Sequence, residues 1–366
     1  MQIRYLILYL FCYFLVSCQD DSSGPEITSG RTVIVYLGVD NNFKGEEKEK
    51  IEALTKGWKS SFQGNLLVYA DAGGKPFLTR IYTKKGKSVA EVVKSYEDSN
   101  SADPEVFNRV LRGIISDYPA DSYGLVVLSH ATGWLPVKTL GSARSVISDR
   151  GSEMEIRDFA EALPEKMDFI IFDACFMGAV EVVYELKDKA DYIVGSPAEV
   201  LVPGFVYTSM MTHLMAPVPD VTAVAREFYE YYDAQSSFAR SATVSVVKTA
   251  ELEGLAALCR ELLHDVDGES AVDIRTLQNY GYGPDLLYFD MGDYIKALSP
   301  ERYDEFMQKL DKCLLYEAHT PGYYSAGNYA YNPIRTYSGL AVYIPQKAYP
   351  FMNGEYRKLK WAQRVL

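Results

Sequence analysis

Apolar residues in the first half of the chain fall in short, uninterrupted runs. Five of these runs are rich in β-branched residues and are bounded by polar or turn-forming residues: 32–39, 65–70, 124–129, 168–172 and 191–195. Runs of this kind are typical of strands covered on both faces, as in a parallel sheet packed between helices. The pattern therefore predicts five buried strands.

The segments between these runs carry apolar residues at helical spacing. Residues 44–62, 104–118 and 180–189 each place an apolar stripe on one side, which predicts amphipathic helices. Strand and helix alternate from about residue 31 to residue 196. This order predicts a doubly wound α/β unit over 31–216 with a mostly parallel sheet.

After about residue 217 the pattern changes. The elements predicted there are helices at 224–235 and 251–266 and strands at 242–249 and 338–345. Two further helical stretches and a loop at 321–332, rich in tyrosine, glycine and asparagine, lie between the last two strands. We therefore expect a C-terminal α+β subdomain over 217–366 that packs on the sheet and could return a strand to it.

The N-terminus has the pattern of an export signal. Arg4 precedes an apolar run that is too short to span a bilayer. Residues 15–18, Leu-Val-Ser-Cys, resemble the lipobox of bacterial lipoproteins, in which the cysteine is acylated and becomes the new N-terminus. The prediction is a signal peptide at 1–17, then a lipidated Cys18 and a polar, flexible linker over 18–30. A plain secretory signal with an unrelated cysteine is the alternative.

Composition and charge narrow the class of partner. The chain has 366 residues, of which 48% are hydrophobic and 23% charged, and its formal net charge is −12. This composition fits a globular protein with a sizeable core. The acidic balance disfavours nucleic acid and anionic membrane surfaces as partners. We expect a monomer, exported and anchored to the bacterial cell envelope, at the outer membrane or cell surface, only through the lipid on Cys18.

The cysteines single out one thiol. Apart from Cys12 in the signal and Cys18, the chain contains Cys175, Cys259 and Cys313. The last two recur with apolar residues at helical spacing, which predicts core positions. An odd number of remaining cysteines in an exported protein indicates a free thiol, so Cys175 is the candidate.

Two predicted strands end in chemically reactive residues. The strand at 124–129 runs into His130, and the strand at 168–172 runs into Asp173 and Cys175. Adjacent parallel strands lie about 4.8 Å apart and end at one edge of the sheet, so this imidazole and this thiol can meet. An imidazole that accepts the thiol proton makes cysteine a strong nucleophile, and a helix starting after Cys175 would also favour the thiolate. Taken singly, a cysteine or a histidine in such a position is more often structural than catalytic, and the catalytic interpretation rests on the pair.

The residues around these two positions resemble a known family. GLVVLSHATGW and FIIFDACFMG look like the histidine and cysteine signatures of the clostripain family of cysteine peptidases, relatives of gingipains, legumains and caspases. TVIVYLGVDNNF, FDMGDY and SGLAVYIP are similar to further landmarks, so the resemblance covers about residues 31–345. It implies a caspase-like fold and endopeptidase activity on peptide or protein substrates. It also implies that Cys175 is the nucleophile, that His130 is the general acid–base, and that the backbone N–H groups of Ala131 and Cys175 form the oxyanion hole.

The chain departs from the family pattern at two positions. Ala131 stands where the family usually has glycine, and it would be strained if that position required a positive φ. Arginine-cleaving members line the pocket for P1, the residue before the cleaved bond, with two acids. Asp173 matches the first of these acids, although it could equally cap a turn, and Phe205 stands at the second. We expect a basic P1 preference that depends on Asp173, with Glu199 as the candidate for the missing charge.

The same departures leave an alternative function open. A catalytically weak or inactive homologue could bind peptides or act in assembly at the cell surface. Some relatives cut themselves between the histidine and cysteine strands, and this chain has Lys138, Arg144 and Arg150 in that segment. Self-processing is therefore consistent with the sequence.

No cofactor is predicted. His213, His264 and His319 lack the spacing of metal ligands, so the sequence predicts no metal site and leaves a calcium requirement open. Asp40 and Asn41 follow the first strand at the edge where the dyad is expected. We expect a structural hydrogen-bonding role for them, with support of the site or of a cation as the alternative.

Overall fold

The computed structural model describes residues 28–136, 146–264, 266, 268–281 and 285–366. The predicted signal peptide, Cys18, and the linker as far as residue 27 lie outside the described residues, as do Lys138 and Arg144. Within the described part of the chain, no helix combines the length and the apolar character needed to cross a membrane.

The described residues form strands and helices in the following order. The strands are β1 (Thr28–Gly38), β2 (Gly64–Asp71), β3 (Phe77–Lys84), β4 (Lys87–Ser95), β5 (Ala120–Leu128), β6 (Ile147–Asp149), β7 (Ser152–Met154), β8 (Met167–Asp173), β9 (Ala190–Gly195), β10 (Thr243–Lys248), β11 (Phe289–Asp290), β12 (Leu314–His319), β13 (Gly322–Ser325), β14 (Ala330–Pro333) and β15 (Ala341–Val342). The helices are α1 (Glu46–Gly57), α2 (Pro104–Asp117), α3 (Ile156–Ala162), α4 (Val180–Glu185), α5 (Tyr207–Leu214), α6 (Val221–Asp233), α7 (Leu252–Leu263), α8 (Met291–Leu298), α9 (Tyr303–Cys313), α10 (Pro350–Tyr356) and α11 (Lys360–Val365).

One large sheet organises the described chain. Its nine strands lie in the order β12-β10-β9-β8-β5-β1-β2-β3-β4. The five strands predicted from the sequence, β9, β8, β5, β1 and β2, are parallel and form its centre. β3 and β4 at one margin and β10 and β12 at the other are antiparallel. The predicted fold class, a mostly parallel sheet flanked by helices, is confirmed.

Apolar cores cover both faces of the sheet. In β1, Ile34 and Tyr36 belong to the larger core, which α2, α4 and α7 cover, while Val33 and Val35 belong to the core covered by α1, α5 and α6. Because both faces need apolar side chains, the strand shows no polar alternation. This is the physical origin of the uninterrupted apolar runs.

Helix α2 carries the chain from the margin of the sheet to β5, the strand that precedes His130. The Asp103 carboxylate accepts the backbone N–H of Glu105 at 2.8 Å, and Pro104 occupies the first turn, where its missing N–H costs nothing. Phe107 and Ile114 bury the apolar side of the helix against the sheet. Local capping and the apolar stripe therefore fix this crossover.

The margins of the sheet and the C-terminal part differ from the sequence-based elements. The hairpin of β3 and β4 was not predicted, and β1 begins at Thr28, inside the predicted linker. The predicted loop 321–332 forms the hairpin of β13 and β14. Of the predicted strand 338–345, only β15 forms, and the N–H of Tyr343, directly after it, bonds to the Glu181 carboxylate. β10 and β12 join the central sheet, so the part after residue 217 shares that sheet with the first unit.

Candidate active site

The register of two central strands sets the level of the candidate dyad. Leu128 of β5 lies opposite Asp173 of β8 in a parallel pair. His130 and Cys175 each follow two residues later, so they stand level at the carboxyl edge of neighbouring strands. Both residues are partly exposed, while most of their neighbours are buried. The structure therefore brings the two predicted residues to one place at the sheet edge.

The other two described thiols lie in the core. Cys259 and Cys313 are buried, and burial raises the pKa of Cys313 to about 12 and that of Cys259 well above its usual value. A buried thiol of this kind is a poor nucleophile because its thiolate is not populated near neutral pH. Among the described cysteines, Cys175 is the thiol that solvent reaches.

His130 is held by two residues of the turn after β1. Its Nε2–H donates to Asn42 Oδ1 at 2.5 Å, and its ring stacks on Phe43 with the centroids 3.9 Å apart and the planes inclined by 22°. In this tautomer the neutral ring carries its lone pair on Nδ1. Asn42 and Phe43 were not predicted as site residues, although both follow the first strand at the edge where such residues were expected.

Hydrogen bonds fix that turn to the neighbouring segments. Asn41 donates from Nδ2 to the carbonyls of Gly38 and Ser148, at 3.2 and 3.0 Å. The Ser129 hydroxyl donates to the Gly38 carbonyl at 2.9 Å and accepts the N–H of Ser148 at 3.0 Å. Asn41 thus has the structural role that was expected, and it anchors the residues that hold His130.

A group of acids surrounds Arg150 beside the same turn. We call it the Arg150 cluster, and it consists of Arg150, Asp40, Asp71, Asp98 and Asp149. Arg150 Nε lies 3.2 Å from Asp149 and 3.4 Å from Asp40, and Nη1 lies 3.1 Å from Asp98. Burial, and next the charge of Asp149, raises the pKa of Asp71 to about 7. The structure thus holds the partly exposed Arg150 side chain among carboxylates.

The Cys175 thiol contacts the segment that follows β9. The Val200 N–H donates to Sγ at 3.3 Å, and Sγ lies 3.9 Å from the Val200 carbonyl oxygen. The next residue, Phe176, has a φ of 61° and donates its N–H to the Ala198 carbonyl. Helix α4 begins only at Val180. A helix therefore follows Cys175 as predicted, and the left-handed turn at Phe176 lies between the thiol and that helix.

Ala131 does not have the positive φ that would have strained its backbone. The described non-glycine residues with a positive φ are Lys85, Arg150, Phe176, Ser237 and Tyr329. The left-handed position after the histidine is instead Gly133, with a φ of 63°, where a Cβ would lie 2.7 Å from the Phe176 carbonyl oxygen. Alanine therefore suits position 131, and glycine is required two residues later.

A pocket adjoins the thiol and contains Asp173. This pocket, which we call the P1 pocket, is lined by Phe43, Glu46, Leu128, Ser129, Asp173, Ala174, Cys175, Val200, Leu201, Val202, Pro203 and Gly204. Asp173 accepts the Tyr207 hydroxyl at 2.9 Å and the Phe205 N–H at 3.4 Å. Burial raises the pKa of Asp173 to about 6, and the charge of Lys50 and the bond from Tyr207 oppose that rise. Near pH 7.5 the group is mainly a carboxylate.

The other two predicted pocket residues point elsewhere. The Glu199 carboxylate accepts the Ser325 hydroxyl and, at 2.9 Å, the Ala326 N–H, so it fastens the hairpin of β13 and β14. Phe205 stacks on Phe228, with the ring centroids 4.4 Å apart, in an apolar core. Neither Glu199 nor Phe205 is among the described residues that line the pocket. The second acid that lines the pocket is Glu46 of α1, which the sequence analysis did not single out.

The histidines outside the dyad have ordinary partners. His213 Nε2 lies 2.8 Å from the Glu227 carboxylate, and His319 Nδ1 lies 2.7 Å from the Thr320 carbonyl oxygen. Over the described ranges, no group of three or more His, Cys, Asp or Glu side chains is arranged to hold a metal ion.

Comparisons with known proteins agree with this geometry. The model of the clostripain family matches residues 35–339. The X-ray structure of an inactive zymogen C11 protease from Parabacteroides distasonis is 37% identical, with a TM-score of 0.84, over 93% of this chain and 99% of that chain. A secreted C11 cysteine protease from Bacteroides thetaiotaomicron, solved with an irreversible peptide inhibitor, is 29% identical, with a TM-score of 0.81, over 92% of this chain and 99% of that chain.

A curated relative matches over a shorter length. The clostripain of Hathewaya histolytica is 28% identical over 221 residues, which are 50% of this chain and 42% of that protein. The chain therefore spans less than half of this relative. The family model, in contrast, extends from β1 to the residues just before β15 and includes both predicted catalytic positions. The predicted enzyme class, a cysteine-type endopeptidase, is that of the matched family, and the chain belongs to the clostripain family of cysteine peptidases.

Proposed function

We propose that the chain is a cell-envelope cysteine endopeptidase that uses His130 and Cys175 as a dyad and prefers a basic P1 residue. The observation that carries this proposal is the pairing of Leu128 with Asp173, which puts the imidazole and the thiol level on adjacent strands.

The tautomer of His130 supports a direct proton transfer. Because Nε2–H is donated to Asn42, we assign Nδ1 as the ring nitrogen that takes the proton of the Cys175 thiol. The resulting thiolate attacks the peptide carbonyl carbon, and the C–N bond breaks as the imidazolium returns its proton to the leaving amine. Water then attacks the thioester, with the imidazole as base, and releases the acid and the thiol.

The backbone N–H groups of Ala131 and Cys175 are the proposed donors to the oxyanion. Both belong to the segments that end β5 and β8, so they flank the carbonyl that the thiolate attacks. The ordinary φ at Ala131 supports this role, since no strain needs to be relieved for its N–H to stay in place. A catalytic defect at this position is therefore not expected.

The P1 pocket supports a cationic side chain in the substrate. Asp173 lies at the end of β8, two residues before the nucleophile, and its surroundings leave it ionised near pH 7.5. A buried carboxylate binds a guanidinium or ammonium group through charge-assisted hydrogen bonds. The substrate is thus a peptide or protein with arginine or lysine at P1.

The N-terminal pattern supports the location. An export signal that ends in a lipobox-like Cys18 suits a monomer tethered to the outside of a membrane by lipid chains. The relative from Bacteroides thetaiotaomicron is described as secreted, which agrees with export.

Thiol labelling tests the dyad on the full chain. Iodoacetamide at pH 6.5 should alkylate the protein rapidly, and Cys175→Ala should abolish both labelling and peptide cleavage. His130→Gln should slow labelling at least 100-fold, because the thiol then lacks its base. Cys313→Ala is the matched control and should retain both activities. A His130→Gln variant that labels at the wild-type rate would contradict the dyad.

A further inference from the structure

The P1 pocket receives acids from two different elements. Asp173 comes from the end of β8 and Glu46 from the first turn of α1, and both line the pocket that contains Cys175. Most of the other lining residues are apolar, among them Phe43, Leu128 and the segment 200–203. Apolar walls with carboxylates suit a side chain that has an aliphatic stem and a cationic end.

A buried lysine lies behind these acids. Lys50 Nζ donates to the Pro203 carbonyl oxygen at 2.6 Å and lies 3.0 Å from Glu46 Oε2. The side chain is only 4% exposed, and it lines a separate depression with Tyr207, whose ring centroid is 5.1 Å from Nζ. Two acids and one lysine leave one uncompensated negative charge, which is the charge needed to bind one cationic side chain.

The position where the family places its second acid cannot supply that charge here. Phe205 gives its N–H to Asp173, but its ring is packed against Phe228 in the core. Glu199 is likewise committed to the hairpin of β13 and β14. Glu46 is the remaining acid of the described pocket lining.

We propose that Glu46 is the second carboxylate of the P1 pocket and that Glu46 and Asp173 together select arginine or lysine at P1. This inference rests on the proposed peptidase function and assigns its specificity. A neutral P1 side chain would leave Glu46 and Asp173 with Lys50 as their one cationic neighbour in the described lining, so the pocket discriminates against it. The charge of Glu46 also contributes to the raised pKa of Asp173, which agrees with two carboxylates that act on one site.

The decisive variant is Glu46→Gln in the full chain. We measure kcat/KM for peptides that are identical except for arginine, lysine or norleucine at P1. The ratio of arginine to norleucine should fall 10- to 100-fold, while the rate of Cys175 alkylation stays within twofold of wild type. Glu52→Gln is the control, because Glu52 is exposed on the same helix, and it should leave the ratio unchanged.

A second variant separates recognition from a purely structural role. Lys50→Met removes the ion-pair partner of Glu46 and a competing cation, so the arginine to norleucine ratio should not fall. If Glu46→Gln leaves the ratio intact, or if both variants lower it alike, Glu46 only pairs with Lys50 and the inference is overturned. A wild-type protein without any basic preference would instead overturn the proposed P1 specificity, and this inference with it.

Discussion

Two groups of acids, each with a buried aspartate, lie at the carboxyl edge of the same sheet, and they differ in what faces them. In the Arg150 cluster, the guanidinium lies within 3.4 Å of three carboxylates. In the P1 pocket, apolar walls and the Cys175 thiol lie beside the acids. Burial is the largest cause of the raised carboxyl pKa in both places, to about 7 for Asp71 and about 6 for Asp173.

The difference shows that buried acids alone do not mark a binding site. The Arg150 cluster already holds a cation from its own chain, and the Arg150 N–H donates to the Asp40 carbonyl in the turn that leads to Asn42 and Phe43. In the P1 pocket, Asp173 and Glu46 instead lie beside the Cys175 thiol and an apolar wall that a substrate side chain could contact. Substitutions in the Arg150 cluster should therefore alter the stability of the protein, and substitutions in the P1 pocket should alter its preference for the P1 residue.

The largest expected effect is at Asp173. Asp173→Asn keeps an acceptor for the Tyr207 hydroxyl but removes the charge that binds a basic side chain. We expect kcat/KM for arginine and lysine at P1 to fall about 100-fold or more, since a charge-assisted bond in a buried pocket is lost. Cleavage of a norleucine peptide should change less than threefold.

The pH dependence of the arginine to norleucine ratio provides a second test of Asp173. Because burial raises the Asp173 pKa to about 6, the carboxylate is progressively protonated as the pH falls through that value. The arginine to norleucine ratio should therefore decrease below about pH 6 in the wild type and stay flat in Asp173→Asn. A ratio that is independent of both pH and the substitution would exclude Asp173 from P1 recognition.

The next largest effect is the loss of the Arg150 side chain. Arg150→Met leaves the buried carboxylates of Asp40 and Asp149 without this cation, which should destabilise the protein by about 2 kcal/mol. The Tm should fall by several degrees, while the P1 preference remains. Arg157→Met, which removes a partly exposed pair 3.9 Å long, should change the Tm little. Equal Tm values for the two variants would contradict a stabilising role for the cluster.

Burial decided which strands could be predicted from the sequence. The five parallel strands are buried on both faces, so each left an apolar run, and residues that end such strands must meet at one edge. His130, Cys175 and Asp173 were found in this way. The exposed strand β4 left no such run, so the hairpin that it forms with β3 was missed.

No local sequence pattern identified the residues that contact the predicted site residues. Asn42 and Phe43 reach His130 across 88 and 87 positions of sequence, and only the folded sheet brings them together. Glu46 lies in an acidic stretch of α1 that has the pattern of a solvated helix face. The second acid of the pocket could not be predicted from the sequence, because it lies on helix α1. The family pattern places that acid in the segment after β9 instead.

The smallest expected effect is a stabilisation of the protein, and it follows from replacing Asp71. The folded chain raises the pKa of this buried carboxyl from 3.8 to about 7, so between pH 4 and pH 7 the folded state holds a proton that the unfolded state has released. Wild-type stability should therefore fall as the pH rises through this window. Asp71→Asn carries no charge in either state and escapes this loss.

The variant should consequently be more stable than wild type at pH 8, by about 1 kcal/mol, and this advantage should shrink toward pH 4. Thermal unfolding of both proteins across that pH range measures the difference. Asp188→Asn is the control, because Asp188 is largely exposed, and its Tm difference from wild type should not follow the same curve. A destabilised Asp71→Asn at pH 8 would mean that the ionised carboxylate is needed by the Arg150 cluster.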